Sequence, residues 1–310
     1  MKKTSLALTV MLCAAAASAQ NAAPFRNAET GRTYARLQAA VDSIGDAQGT
    51  ILIAPGSFRQ CAVQTSGIIA FRAVIPGQSI FDTKTCEGKA ALVLRGQGAR
   101  VDGIVFQNMR VADSHGAGIR LEKGNLTVTH SVFRNSVQGI TTADKGTGAI
   151  SIKQSSFIGL GRCVRRQPCA HSLSIGGKGP LSVTNSRFER GNGGHYIQSR
   201  ASRITITDNA FDDSRGRSTD RMIDLPIGAS GSIARNIFVQ AASKANDSAL
   251  ITVASEGRGQ SSFGLSVNAN EAHIAAGVDR RAVFVADWSG DRLALGGNRL
   301  GRGLKPFERR

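Results

Sequence analysis

The sequence predicts an all-β chain wound into a single-stranded right-handed parallel β-helix with a capping helix at its N-terminal end. Two observations carry this expectation. Six segments, VDGIVF, LTVTHSVF, ISIKQSSF, LSVTNSRF, ITITDNAF and SIARNIF, alternate apolar and polar residues and end on Phe106, Phe133, Phe157, Phe188, Phe211 and Phe238. Their spacing of 23 to 31 residues is that of solenoid coils with loops of unequal length. Glycine, asparagine, aspartate and serine mark turns between nearly all of the alternating stretches. A propeller blade needs four strands in a longer unit, and a leucine-rich repeat needs its own leucine and asparagine frame.

The elements follow in chain order. Residues 1–19 combine Lys2 and Lys3, an apolar run and the exit Ala17-Ser18-Ala19, which describes a cleavable export signal. In the segment 20–49, Tyr34, Leu37, Val41 and Ile44 share one helical face, and Gly45 ends the pattern. That helix is placed to cover the first coil, whose edges and core would otherwise meet water. Strand alternation starts at Thr50, and residues 50–290 read as the β-helix, with Asn185, Ser186 and Asn209 suited to tight corners. Beyond Gly257 the repeat blurs. SFGLSVNAN and AVFVADW read as further coils, and the basic segment 291–310 as a tail or second cap.

After the signal four cysteines remain, Cys61, Cys86, Cys163 and Cys169. An even number in an exported chain favours two disulfides, with Cys61–Cys86 and Cys163–Cys169 the nearest pairing, and neither pair has the spacing of a zinc site. The expected location is the periplasm or the exterior of a Gram-negative cell, with no transmembrane segment. The formal charge of +17, from 39 Lys and Arg against 22 Asp and Glu, attracts polyanions. Export, two tyrosines, one tryptophan and the lack of any nucleic-acid motif turn the expectation from nucleic acid to acidic polysaccharide, bound by a monomer.

Aligning the coils on their phenylalanines aligns a second strand, in which Ile119, Ile140, Leu173, Ile197, Ile223 and Ile251 face inward. The next residues, Arg120, Thr141, Ser174, Gln198, Asp224 and Thr252, then form an outward row that suits an extended sugar chain. A period of two adds Tyr196 and Arg200 to the face of Gln198. The densest polar segment is GHYIQSRA, with His171 one coil earlier and Arg221 and Asp224 one coil later. Elimination from a uronate needs a group to neutralise the carboxylate, one to remove the C5 proton and one to protonate the leaving oxygen. Arg200 fits the first task, and His195 and Tyr196 are the candidate proton carriers. Strict alternation points His195 inward unless the chain bends after Gly193-Gly194, so a buried histidine stacked on His171 and a catalytic one both stay open.

The segments HSLSIG, GHYIQSRA, MIDLPIG and ASEG resemble an exported group of bacterial β-helix repeat proteins in the pectate-lyase-like superfamily, over residues 30–290. Within them, IQSRASRITITDN is distantly similar to the lysine-serine segment of β-helical alginate lyases and chondroitinase B. The resemblance implies β-elimination of an acidic polysaccharide, with Ser199 and Asn209 as structural matches and Arg200 as a substrate contact. It also implies a lysine base where this chain has Gln198, and an arginine near Arg221 or Asp224 without a clean match. Substrate contacts are therefore expected at Arg120, His171, Ser174, Gln198, Arg221 and Asp224. Calcium often assists such eliminations, yet Asp208, Asp213 and Asp224 would meet only across coils, and no metal site is assigned. Two other functions compete: a scaffold that binds acidic exopolysaccharide, and a glycosidase with Asp224 and Glu256 across one bond.

Overall fold

The computed structural model describes residues 23–111, 116–164 and 166–310. The predicted signal at 1–19 lies outside them. The chain is a parallel β-solenoid whose coils each place one strand in each of three sheets, of 12, 10 and 10 strands. One coil runs through Ile104–Gln107 in the second sheet, Ala117–Leu121 in the third and Gly124–Thr129 in the first. Winding supplies the long crossover that parallel pairing demands, so no helices are needed between strands.

The phenylalanines meet in register. Phe81, Phe106, Phe133, Phe157, Phe188, Phe211 and Phe238 pair in adjacent strands, and Phe58 extends the column at its start. Their rings stack nearly parallel through the middle, 4.7 Å apart between Phe157 and Phe188, and all but the partly buried Phe58 are fully buried. Phenylalanine suits this place because strand spacing of about 4.8 Å is also a good stacking distance for rings. The column ends where Ala272 pairs with Phe238.

A second column closes the corner before each phenylalanine strand. Backbone N–H groups there have left the first sheet, and a side chain of the next coil accepts each one. Ser131 donates to Ser155, Ser155 to Ser186, Ser186 to Asn209, Asn209 to Asn236 and Asn236 to Asn270, each through its backbone N–H. The asparagine amides also donate to carbonyls one coil back, as Asn209 Nδ2 does to Val183 at 2.9 Å. The buried corner thus keeps its polar groups paired.

At the N-terminal end the helix is shorter than its pattern, Leu37–Asp42. Thr33–Tyr34 instead extends an antiparallel ribbon with Phe25–Asn27, which lies on Gln48–Ile53. Arg36 is extended, and Gln60 Oε1 accepts the Leu37 N–H, which starts the helix there. Helix and ribbon together bury Phe25, Leu37 and Val41 over the first coil. At the other end Ser266–Asn268 and Ala282–Asp287 are strands of the solenoid. Residues 291–310 are neither tail nor separate cap, because Ala294–Gly296, Arg299–Leu300 and Leu304–Arg309 add one more parallel strand to each sheet. Disulfides join Cys61 to Cys86 and Cys163 to Cys169.

Since each ring contacts one above and one below, Phe188→Ala removes two stacks at once. It is expected to destabilise the protein by about 3–5 kcal/mol, read from the urea midpoint. A loss under 1 kcal/mol would show that the column is not a principal stabilising feature.

Candidate functional site

The third sheet carries the residues that sequence singled out, and its geometry begins with a bend. Ile119, Ile140, Leu173, Ile197, Ile223 and Ile251 pair in register and are buried, so Arg120, Thr141, Ser174, Gln198, Asp224 and Thr252 form the adjoining column on the outer face. The residue before each buried one also turns inward. In the six coils this residue is Gly118, Gly139, Ser172, Tyr196, Met222 and Leu250, and the last three belong to the main core. A Cβ on Gly118 would lie 2.6 Å from the Phe133 ring, and one on Gly139 2.9 Å from the Phe157 ring. Glycine there lets the phenylalanine column close.

Two consecutive inward residues put the one before them outside. That position is Ala117, Gln138, His171, His195, Arg221 and Ala249, a second outer column which strict alternation places inside. Tyr196 is therefore not on the face of Gln198, as its parity predicts. It lies in the core against Phe188 and Phe211, and its hydroxyl donates to Asp213 Oδ1 at 2.7 Å and accepts the Gly191 N–H. Burial, with the Asp213 charge beside it, holds its phenol well above the usual range. Gly193 and Gly194, with φ of 115° and 64°, supply the bend that carries His195 out.

Asp213 is fully buried. Lys244 Nζ and Thr219 Oγ1 donate to its Oδ2 at 3.0 and 2.6 Å. Lys244 had no signal in the sequence, because its side chain reaches this pair only through a loop of the next coil.

His171 and His195 stack with centroids 4.7 Å apart. His171 Nδ1 accepts the His195 N–H at 3.0 Å, and His195 Nδ1 accepts the Arg221 N–H at 3.2 Å. Each Nδ1 is thus an acceptor, so each neutral ring carries its proton on Nε2. Burial drives His171 down to about 3, with repulsion from His195 adding to it. Burial likewise lowers His195 to about 4, although Asp224 opposes this, its Oδ2 standing 3.6 Å from Nε2. Asp220 Oδ2 stands 3.9 Å from the same nitrogen, and burial raises its carboxyl above the ordinary value. Arg221 pairs with Asp220. Asp224 is buried, accepting from Thr252 Oγ1, Ser255 Oγ and Gln198 Nε2, the last at 3.4 Å.

Arg120, Gln138, Thr141, His171, Ser174 and Gln198 line one groove of about 640 Å³ that crosses successive coils. Its walls include residues 87–89 and 168–170, next to Cys86 and containing Cys169, so a disulfide tethers each wall. Asp144 borders both this groove and a second cleft of about 750 Å³, lined by Lys145, Thr147, Lys178 and Arg200. Arg200 is there and not over Gln198, and its guanidinium pairs with Glu256. Glu256 thus serves Arg200. Gln138 Oε1, in a residue 6% exposed, is buried without a hydrogen-bond partner, and Arg120 Nε makes no hydrogen bond but faces Glu122 Oε1 at 3.6 Å. Gln138, Lys145 and Lys178 were not singled out from sequence, although QGITTA contains the first at the position equivalent to His171 in the aligned strands.

Among the described residues, no cluster of three or more His, Cys, Asp or Glu side chains is arranged to hold a metal ion, and no helix is long and apolar enough to cross a membrane. No known family profile and no curated protein matches the chain. One solved structure, Geobacillus virus E2 ORF18, is similar at 12% identity with a TM-score of 0.49, over 87% of this chain. This chain spans about half of that one, 55% of its length.

Both histidines have folded-state values below the unfolded value near 6.5. Between that value and about 4 the unfolded chain binds protons that the folded chain refuses, so stability falls as pH drops through this window and is unaffected by these groups above it. Imidazole resonances of His171 and His195 are expected to stay those of the neutral Nε2–H form at pH 5.5, while the urea midpoint declines from pH 7 to pH 5. Titration of either ring near pH 6.5 would contradict the assigned hydrogen bonds.

Proposed function

We propose that this protein is an exported member of the pectate-lyase-like β-helices that holds an extended acidic polysaccharide across the third sheet. The observation that carries the reading is the pair of clefts joined at Asp144, one floored by a ladder of hydrogen-bonding side chains and the other lined by Lys145, Lys178 and Arg200. A ladder repeating at coil spacing suits a polymer better than a compact ligand. The basic cleft supplies charge for carboxylates, and the formal charge, +17 less the two of Lys2 and Lys3 in the signal, or +15, concentrates such a chain at the surface. Two disulfides and the absence of a membrane-spanning helix among the described residues fit an exported protein.

β-Elimination, the reaction suggested by the resemblance, asks more of the site than binding does. Arg200, Lys145 and Lys178 are placed to neutralise a carboxylate, and His171 offers an Nε2–H to the groove. His171 and His195 cannot take a proton at Nδ1 without losing a backbone hydrogen bond, and burial opposes their charging. Tyr196 is in the core, and Gln198 is an amide, which is no base. Holding the polymer is therefore the function that these side chains support best.

Calorimetric titration with alginate, polygalacturonate and glucuronan is expected to give binding to at least one, weakening as salt is raised. Lys145→Ala with Lys178→Ala should weaken it roughly tenfold or more. Ultraviolet absorbance of unsaturated uronates should stay flat. Absorbance that grows in proportion to protein would make the protein a lyase, and absence of binding to all three would remove the proposal.

A further inference from the structure

The two clefts differ in charge, and the difference bears on the composition of the polymer. Among the described residues, the two cations that line the groove, Lys89 and Arg120, each face a carboxylate of the protein. Lys89 Nζ lies 2.8 Å from Glu122 and 3.1 Å from Glu87, Arg95 pairs with both, and Arg120 Nε lies 3.6 Å from Glu122. Hydrogen bonds from Arg95 and Lys89 hold the Glu87 carboxyl at about 2, and the same two cations lower Glu122 against the effect of burial. Both carboxylates are thus ionised at neutral pH and already occupy the cations. A ligand carboxylate placed here would meet Glu87 and Asp144 on the groove wall with little free positive charge to hold it.

What the groove offers is uncharged. Gln138 lines it with an amide, and a half-turn of that amide exchanges Oε1 for Nε2, so it can present either a donor or an acceptor. Thr141 and Ser174 bring hydroxyls, Gln198 a carbonyl oxygen and His171 an Nε2–H. These are the groups that recognise sugar hydroxyls. Beyond Asp144 the character changes. Lys145 and Lys178 line the second cleft, where among the described residues Arg200 is the one cation of the three engaged in an ion pair.

We infer, resting on the reading of the clefts as a polysaccharide site, that the ligand is a heteropolysaccharide in which an anionic unit is followed by neutral sugar. The anionic unit sits at Lys145, Lys178 and Arg200, and the neutral sugar sits over Gln138, Thr141, Ser174 and Gln198. The protein thereby discriminates against a chain charged at every residue, since each register of such a chain places a carboxylate in the groove against Glu87.

The test holds linkage constant and varies charge. The polyuronate that binds most tightly is converted, by graded carbodiimide activation and borohydride reduction of its carboxyls to primary alcohols, into a series from fully charged to fully neutral. Titrations with the intact protein are expected to give the tightest binding for partly reduced polymer, by several-fold over both ends of the series. Gln138→Leu should lower affinity for the partly reduced polymer to that for the unreduced one, while circular dichroism and the urea midpoint report that it folds. Affinity that rises steadily with charge would overturn this inference and leave the polysaccharide site standing. Failure of every member of the series to bind would overturn both.

Discussion

Stacking of one phenylalanine on the next sets the register of the solenoid, and the other features of the third sheet adjust to it. A ring above each ring requires every coil to return to the same place, so all three sheets inherit one register. The rings also occupy the centre of a narrow interior, and the strand opposite must yield. It does so by turning two successive residues inward and by using glycine at Gly118 and Gly139, where a Cβ would strike a ring. Tyr196 in the equivalent position lies between Phe188 and Phe211 because its hydroxyl finds Asp213, a partner the other coils do not need.

That adjustment shapes the outer surface. Because two residues face in, Gln138, His171, His195 and Arg221 emerge as a column beside Arg120, Thr141, Ser174 and Gln198. The stacked imidazoles use Nδ1 to accept backbone N–H groups, as the serine and asparagine side chains do at the other corner. A histidine employed in this way is held neutral and serves first as an element of the wall. The same packing logic therefore explains both the groove and the reluctance of its histidines to act as bases.

Much of the fold was legible because its signals are local and repeated. Phenylalanine, apolar alternation and corner asparagine recur once per coil, and recurrence turns a weak preference into a register. The same ruler placed Arg120, Ser174 and Gln198 in one outward row. It misplaced Tyr196 by parity, since a bend before a strand changes the facing of a residue without changing its spacing. Lys145 and Lys178 escaped notice because they lie in loops between strands, where no period applies, and the pairing of Arg200 with Glu256 joins residues two coils apart.

By itself, the sequence determined the class of fold, the repeat and its register, and the cysteine partners, because each follows from short-range periodicity or from a small number of nearest pairings. Tertiary structure alone decided which polar side chains are free to meet a ligand. Lys89 and Arg95 are neutralised by Glu87 and Glu122, Asp213 is buried against Lys244, and Gln138 is left with an unpartnered oxygen. Each of these outcomes depends on how far a charge or amide stands from a group in another coil or loop. Coulombic and hydrogen-bond energies fall steeply with that distance, and spacing along the chain does not report it.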